Sequence, residues 1–377
     1  GRLVPPDRKL RVAVVGVGGR GWGLCEPLLA SEDVVALCDV DRRRAAAALK
    51  AAPELPFYAD YRELLAAEAG NLDAVVVATP DHMHAPIASA AMRRGLHVYV
   101  EKPLTWSIEE ARYLAALERE HGVVTQMGNH GSASDGFRAG VERLRAGVLG
   151  DVTEIHCWTN RPWWPQAMDP PAPAPVPEGL DWDLWLGCAE DRPYGEGYLP
   201  FSWRGWRDFG TGCFGDMACH TLNLAWRGLE LGTPSRVEVR TTPRFAESYP
   251  AGSHVTLRFA SVDGKPPLSL HWYDGTFTRP AGVLPAGLVE ELPESGLVIH
   301  GSAGLMFSPD DYGTEQIWLP EGLGAVPVEP SLPRVGGDHL GEWVAACKGG
   351  DAPYSRFAIA GPFTEMVLLG NLAAHTG

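Results

Sequence analysis

Basic residues are scarce in this chain. Its 377 residues carry 32 Lys and Arg against 47 Asp and Glu, a formal net charge of −15. Binding a phosphate backbone needs a basic surface, so no nucleic-acid partner is expected, and no anionic membrane surface either. Cysteine is sparse and scattered. Cys25, Cys38, Cys157, Cys188, Cys213, Cys219 and Cys347 form no CxxC pair, so neither a disulfide framework nor a zinc ribbon is indicated. No apolar run reaches the ~18–20 residues that a membrane-spanning helix needs. No signal peptide is visible in the polar start. The first residue is not Met, so a removed export signal stays compatible, and cytoplasm and periplasm are both open. What is present is 45% hydrophobic residues, enough for a sizeable core. At about 100–200 residues per domain the length predicts two domains. Tryptophan is in surplus: 13 in all, eight of them between Trp158 and Trp226.

The first third alternates short apolar runs (10–15, 34–39, 74–78, 96–100, 123–127) with helical patterns (22–30, 42–51, 85–94, 108–121). Strands alternating with helices read as βαβ units and a parallel sheet covered on both faces. The spacing then predicts a helix over 134–146 and a strand over 151–159. Six prolines between Pro165 and Pro177 predict an extended loop, because proline fixes φ and lacks an amide donor. A helix is expected over 215–229. Alternating segments at 236–241, 254–259, 268–273, 296–300 and 304–307 suggest a largely antiparallel sheet, and 340–347 and 360–374 read as helices. The fold class is therefore α/β: an N-terminal domain with a parallel sheet covered on both faces, then a second domain with a largely antiparallel sheet. Residues 1–127 form the first domain and 128–351 the second.

The first strand runs into Gly16-Val17-Gly18-Gly19-Arg20-Gly21. This is GxGxxG between a strand and a helix, where it carries meaning. Gly16 permits a tight turn, Gly18 lets the backbone approach a pyrophosphate, and Gly21 allows close helix–strand packing. Gly19 and Arg20 border the same site. Asp39 closes the next strand and is placed to bind ribose hydroxyls, which favours NAD. Arg42 and Arg43 follow it and keep NADP as the weaker reading. Thr79 and Pro80 open the loop after the third strand and line its wall. His82 and His84 in that loop form HxH, but no further ligands cluster nearby, so hydrogen bonding at the helix start is expected and no metal. Glu101-Lys102-Pro103 ends the fourth strand beside the cofactor cleft. Lys102 can donate to a substrate hydroxyl, and Glu101 can anchor neighbouring polar groups.

Together with Gly215-Asp216-Met217-Ala218-Cys219-His220, these motifs resemble the Gfo/Idh/MocA superfamily, the relatives of glucose–fructose oxidoreductase and inositol dehydrogenase. The WDLW segment at Trp182–Trp185 and the WRGWRDFGTG stretch look like one bacterial branch of it. The resemblance implies the two-domain plan, an N-terminal Rossmann domain and then an α/β domain with an open-faced, largely antiparallel sheet, with the last helix (about 352–377) packing back on the Rossmann domain. Cofactor contacts are also expected from His84, Glu101 and Lys102. The resemblance also implies that Lys102 is the catalytic-site lysine and that Asp216 and His220 are the family's DxxxH pair. The chemistry agrees. Asp216 and His220 are i and i+4, one face of a helix. A His with an unperturbed pKa of about 6.5 suits removal of a hydroxyl proton. Asn223, at i+7, is expected on the same face, touching substrate.

The tryptophans flank loops beside polar groups, an arrangement that suits the apolar face and hydroxyl rim of a pyranose. Arg161, Trp163, Trp164 and Arg207 are the expected sugar contacts. The leading reading is an NAD-dependent dehydrogenase of a sugar, polyol or glycoside. The alternative is an NAD-dependent glycosidase that oxidises C3 transiently, eliminates the leaving group, adds water and re-reduces. A regulatory protein that kept NAD but lost catalysis is disfavoured by Lys102 and His220. A homo-oligomer, dimer or tetramer, is expected.

Overall fold

The computed structural model describes residues 2–261 and 264–376. The first sheet contains β1 (Arg11–Val15), β2 (Asp33–Cys38), β3 (Phe57–Tyr58), β4 (Ala74–Val77), β5 (His97–Val100) and β6 (Thr125–Met127). Its order is β3-β2-β1-β4-β5-β6, and all pairings are parallel. This doubly wound order opens a crevice at the carboxyl ends of β1 and β4, where the strand direction of winding reverses. Helices α1 (Arg20–Ser31), α2 (Ala46–Ala51), α3 (Tyr61–Glu68), α4 (His84–Met92) and α5 (Ile108–His121) connect the strands. Alternation divides the strand residues between two cores. Ala13, Val15, Val75 and Val77 face the α4–α5 side, while Val12, Val14 and Val76 face α1. The α5 helix is sharply bounded by a Ser107–Glu110 capping box and by Gly122 in the left-handed region. Both β3 and α3 lie where the sequence pattern predicts no element. A two-residue strand is too short to show a period.

The second sheet is built from β7 (Val152–Trp158), β8 (Arg236–Thr241), β9 (Ser253–Phe259), β10 (Leu268–Tyr273), β11 (Gly296–Gly301), β12 (Gly304–Ser308) and β13 (Ile317–Leu319). The order is β13-β12-β11-β7-β10-β9-β8. Only β7 and β10 pair parallel; the other neighbours run antiparallel. One face (Ile155, Cys157, Leu257, Leu270, Trp272, Ile299) joins the same core as the first sheet. Covering that face are α6 (Asp135–Arg145), α8 (Gly212–Thr221), α9 (Asn223–Leu229) and α11 (Phe357–Thr376).

The single helix expected over 215–229 is two. It stops at Thr221 and restarts at Asn223, next to a Thr221 hydroxyl that bonds back to Met217 O at 3.2 Å, a bond that bends helices. Helix α10 (His339–Cys347) places Trp343 and Cys347 in the α1-side core of the first sheet. The α11 helix lies along α5 and α8, with Phe357 N donating to Thr125 Oγ1 at 2.9 Å and Arg112 donating to Glu365. Its length and apolarity reach those of a membrane span, which the sequence reading misses because Thr364, Glu365 and Asn371 interrupt the apolar run. Just over half of its most apolar stretch is buried within the fold.

Between β7 and α8 the chain forms a strap, residues 159–211, carrying one short helix, α7 (Trp182–Leu186). The proline stretch is extended, as expected, and touches Gly195 in an isolated bridge. The strap has its own aromatic core of Trp182, Trp185, Tyr198, Trp206 and Phe209. It docks on the loop after β2, where Arg42 N donates to Gly179 O and Asp181 N to Val40 O, each at 2.8 Å.

Candidate active site

One cavity of about 730 Å³ runs from the β1–α1 turn to the strap and to the Asp216–His220 face of α8. Gly16, Gly18, Gly19, Arg20, Asp39, Thr79 and Pro80 line its nucleotide end. Gly21 lies beneath it. A Cβ there would stand 1.7 Å from Gly16 O, so no side chain fits the position. Gly21→Ala is therefore expected to abolish NAD binding, read by titration calorimetry. It should also cost about 1–3 kcal/mol or more of stability through overpacking.

Asp39 is positioned by two backbone donors: Val17 N to Oδ2 and Asp41 N to Oδ1, both 2.9 Å. Burial pushes its carboxyl up, against those donors. Neither candidate 2′-phosphate ligand is free. Arg43 pairs with Asp41 at 2.6 Å, and Arg42 lies over the Phe57 ring. His84 is not in the cavity wall. Its ring is bracketed by Pro103 O at 2.8 Å and Thr79 O at 2.9 Å, so it braces the two loops that form the wall. His82 sits likewise between Trp185 O and Phe209 O. Burial pushes His82 down to about 4, so it is a neutral pin between strap and first sheet.

At the other end, Lys102 Nζ donates to Asp216 Oδ1 at 2.8 Å and to Asp216 O at 2.9 Å. Arg204 Nε reaches the same Oδ1 at 3.0 Å. Burial disfavours the Asp216 carboxylate, but these two cations outweigh it and hold the group well below the usual carboxylate range. Burial also pulls Lys102 down, and Asp216 reverses this, so the ammonium stays charged. His220 is the opposite case. Burial first, then the Lys102 charge, hold it well below its ordinary value, and its Nδ1 has no partner among the described residues. Glu101 accepts from Arg20 Nε at 2.7 Å and fixes that guanidinium at the cavity wall.

The remaining expectations divide. Arg161, Trp163 and Trp164 line the cavity; Arg207 and Asn223 do not. Arg207 turns to the Tyr249 ring at 5.0 Å. Asn223 is buried, accepting from Arg227 Nε at 2.7 Å, because the helix break at Leu222 ends the i+7 relation. Of the eight clustered tryptophans, Trp163, Trp164, Trp185 and Trp203 reach the cavity. Trp182 and Trp206 form strap core.

Among the cavity residues that the sequence reading does not assign to the site are His130, Tyr312 and Arg204. The His130 and Tyr312 rings flank His220, with centroids at 5.6 and 5.0 Å. Asp81, also in the wall, is pushed up to about 7 by burial, against the Arg204 charge and the Thr211 hydroxyl bond.

A dinucleotide crevice that ends on a charged lysine and a neutral histidine defines the class, a nicotinamide-dependent oxidoreductase. The chain belongs to the Gfo/Idh/MocA oxidoreductase family. Its residues 10–129 match that family's NAD-binding Rossmann fold, and residues 151–264 match a C-terminal alpha/beta domain of the oxidoreductase family.

Inositol 2-dehydrogenase 1 of Saccharopolyspora erythraea is 36% identical over 153 residues, 39% of this chain and 45% of that protein. A glycosyl hydrolase family 109 protein of Streptomyces niveus is 36% identical over 163 residues, 40% of this chain and 32% of that protein. The matched stretches thus span less than half of either relative. Among solved structures, the WlbA dehydrogenase from Bordetella pertussis, in complex with NADH and UDP-GlcNAcA, has a TM-score of 0.68 at 17% identity. That match covers 98% of this chain and 97% of the other. The aldose-aldose oxidoreductase from Caulobacter crescentus has a TM-score of 0.63 at 15% identity, covering 97% and 98%. These likenesses show the fold.

Proposed function

We propose that this chain is an NAD-dependent oxidoreductase acting on a ring secondary alcohol of a sugar, polyol or glycoside. The observation that carries the reading is the Lys102–Asp216 pair beside neutral His220, in one cavity with the glycine turn. Gly16, Gly18, Gly19, Arg20, Asp39, Thr79 and Pro80 would hold the cofactor, and the glycine turn, where a Cβ on Gly16 or Gly18 would meet backbone or side chain within 3 Å, fits a dinucleotide. When bound, NAD supplies the hydride acceptor. Lys102 donates a hydrogen bond to the substrate hydroxyl and stabilises the negative charge growing on its oxygen. The uncharged imidazole of His220 is free to take the hydroxyl proton. Asp216 keeps Lys102 charged. Arg161, Trp163 and Trp164 contact the substrate. The division into residues 1–127 and 128–351, with the last helix returning to the first unit, belongs to the same reading; the α11–α5 packing supports it. So does a homo-oligomer built through the open face of the second sheet.

An NAD-dependent glycosidase is the second reading. It needs another base, beside the oxidised carbon. Tyr312 and His130, both against His220, supply candidates, and family 109 hydrolases are among the relatives.

One assay separates the two. Protein, NAD and a panel of sugars and aryl glycosides are followed together for NADH absorbance and aglycone release. NADH accumulation without release is the expected result. Release without NADH would establish the glycosidase, and silence in both would defeat the proposal.

A further inference from the structure

Two large aromatic side chains stand at the mouth of the cavity with much of their surface in water. Trp163 is 65% exposed and Phe201 is 49% exposed, and both line the same cavity as Lys102 and His220. Exposed apolar surface of this size at a cleft rim marks a binding site more often than chance. Both rings are held in place. The Arg161 guanidinium stacks 3.4 Å from the Trp163 ring centroid. Arg204 lies 4.4 Å from the Phe201 centroid, and Trp164 meets Phe201 edge-on at 5.8 Å. Each cation leaves much of its ring uncovered.

The position relative to the chemistry is set by Arg204. The same guanidinium that packs on Phe201 reaches Asp216 through Nε at 3.0 Å. Phe201 and the Lys102–Asp216 pair are therefore linked through one side chain, that of Arg204.

Several polar groups at the mouth are already engaged. Asn160 pairs with Glu294 and accepts from Arg161, and Arg161 reaches Asp311 at 3.3 Å. Leu199 and Pro200 extend the apolar rim. A second sugar would need partners for its hydroxyls, and this rim has few to give. An aromatic ring needs only flat apolar surface and a cation edge.

We propose that the mouth is an aglycone subsite and that the substrate is an aryl glycoside. Its sugar lies at Lys102 and His220, and its aromatic aglycone lies between Trp163 and Phe201. This rests on the oxidoreductase reading above and narrows its substrate class.

The test uses NAD-loaded protein with methyl and p-nitrophenyl glycosides of glucose, galactose, N-acetylglucosamine and N-acetylgalactosamine. The quantity read is the ratio of kcat/KM for the aryl over the methyl glycoside of the same sugar. Wild type should favour the aryl compound by about tenfold or more, the size of one stacking contact. Phe201→Ala and Trp163→Ala should each bring the ratio close to one. A wild-type ratio near one overturns the subsite. So does an equal fall on both substrates in the variants, which is what a purely structural role would give.

If no glycoside is turned over, the oxidoreductase reading fails separately, and calorimetry on the same protein decides the subsite. Tighter binding of the aryl glycoside that is lost in Phe201→Ala supports it. Equal binding of aryl and methyl glycosides overturns it.

Discussion

Lys102→Met is expected to lower kcat about 10³-fold while NAD affinity changes by less than about twofold. Methionine keeps the length and most of the packing of lysine and removes only the charge and its donors. An ammonium has three N–H donors. Two are engaged by Asp216 Oδ1 and Asp216 O, and one is left for the cavity. That donor meets a substrate oxygen as its proton departs, where a fixed charge in a water-poor site contributes most. The cofactor end of the cavity is formed by other residues, so NAD binding is the control. Lys102→Arg should not rescue, because a planar fork cannot reproduce a point charge in this niche. Steady-state kinetics with calorimetric NAD titration and a thermal melt make the measurement. Near wild-type turnover in Lys102→Met would remove Lys102 from the chemistry.

The parts of this site that were legible in the sequence share a property: local spacing fixes them. Gly16 to Gly21 follow a strand and precede a helix, so their geometry is determined within one βαβ unit. Asp216 and His220 sit one helical turn apart, and the turn forms. Asn223 failed for the same reason in reverse, because the i+7 inference assumed a continuous helix and Leu222 interrupts it.

Arg204 and Arg207 show where local pattern stops deciding. Both belong to the WRGWR segment, with no period to separate them. A short 3₁₀ turn at Ser202–Gly205 and the strap's aromatic packing send Arg204 to Asp216 and Arg207 to Tyr249. His130 and Tyr312 come from loops after β6 and β12 and meet His220 only in the tertiary structure. The tryptophan surplus divides along the same line. Trp163 and Trp164 face the cavity, Trp182 and Trp206 build the strap, Trp185 and Trp203 do both, and only the fold distinguishes them.

Asp216→Asn is expected to cost both activity and stability. Asp216 is the one carboxylate shared by Lys102 and Arg204, and all three side chains are largely buried. Removing its charge leaves the Lys102 ammonium without compensation in a site that water reaches poorly. Breaking a buried pair in this way costs about 3–5 kcal/mol. The pH window follows from the directions of the shifts. Asp216 is held well below its unfolded value of about 3.9, so its contribution is complete above that value and is lost progressively as pH falls from there toward the lower folded value. Lys102 is held above its ordinary value, so its contribution persists until the solution is strongly alkaline. The stability gap between wild type and variant should therefore be widest around neutral pH and narrow steadily as pH falls below about 4. Urea denaturation across that range reads it.

Activity supplies a second signature. In the variant, burial and the Arg204 charge are no longer opposed, so the pKa of Lys102 falls. Residual turnover should then rise as pH is lowered from about 9 to about 6, as protons restore the ammonium. Wild type has no such limb, because its ammonium is charged throughout. A variant within about 1 kcal/mol of wild type at neutral pH, with an unchanged pH profile, would mean that Lys102 does not depend on Asp216 for its charge.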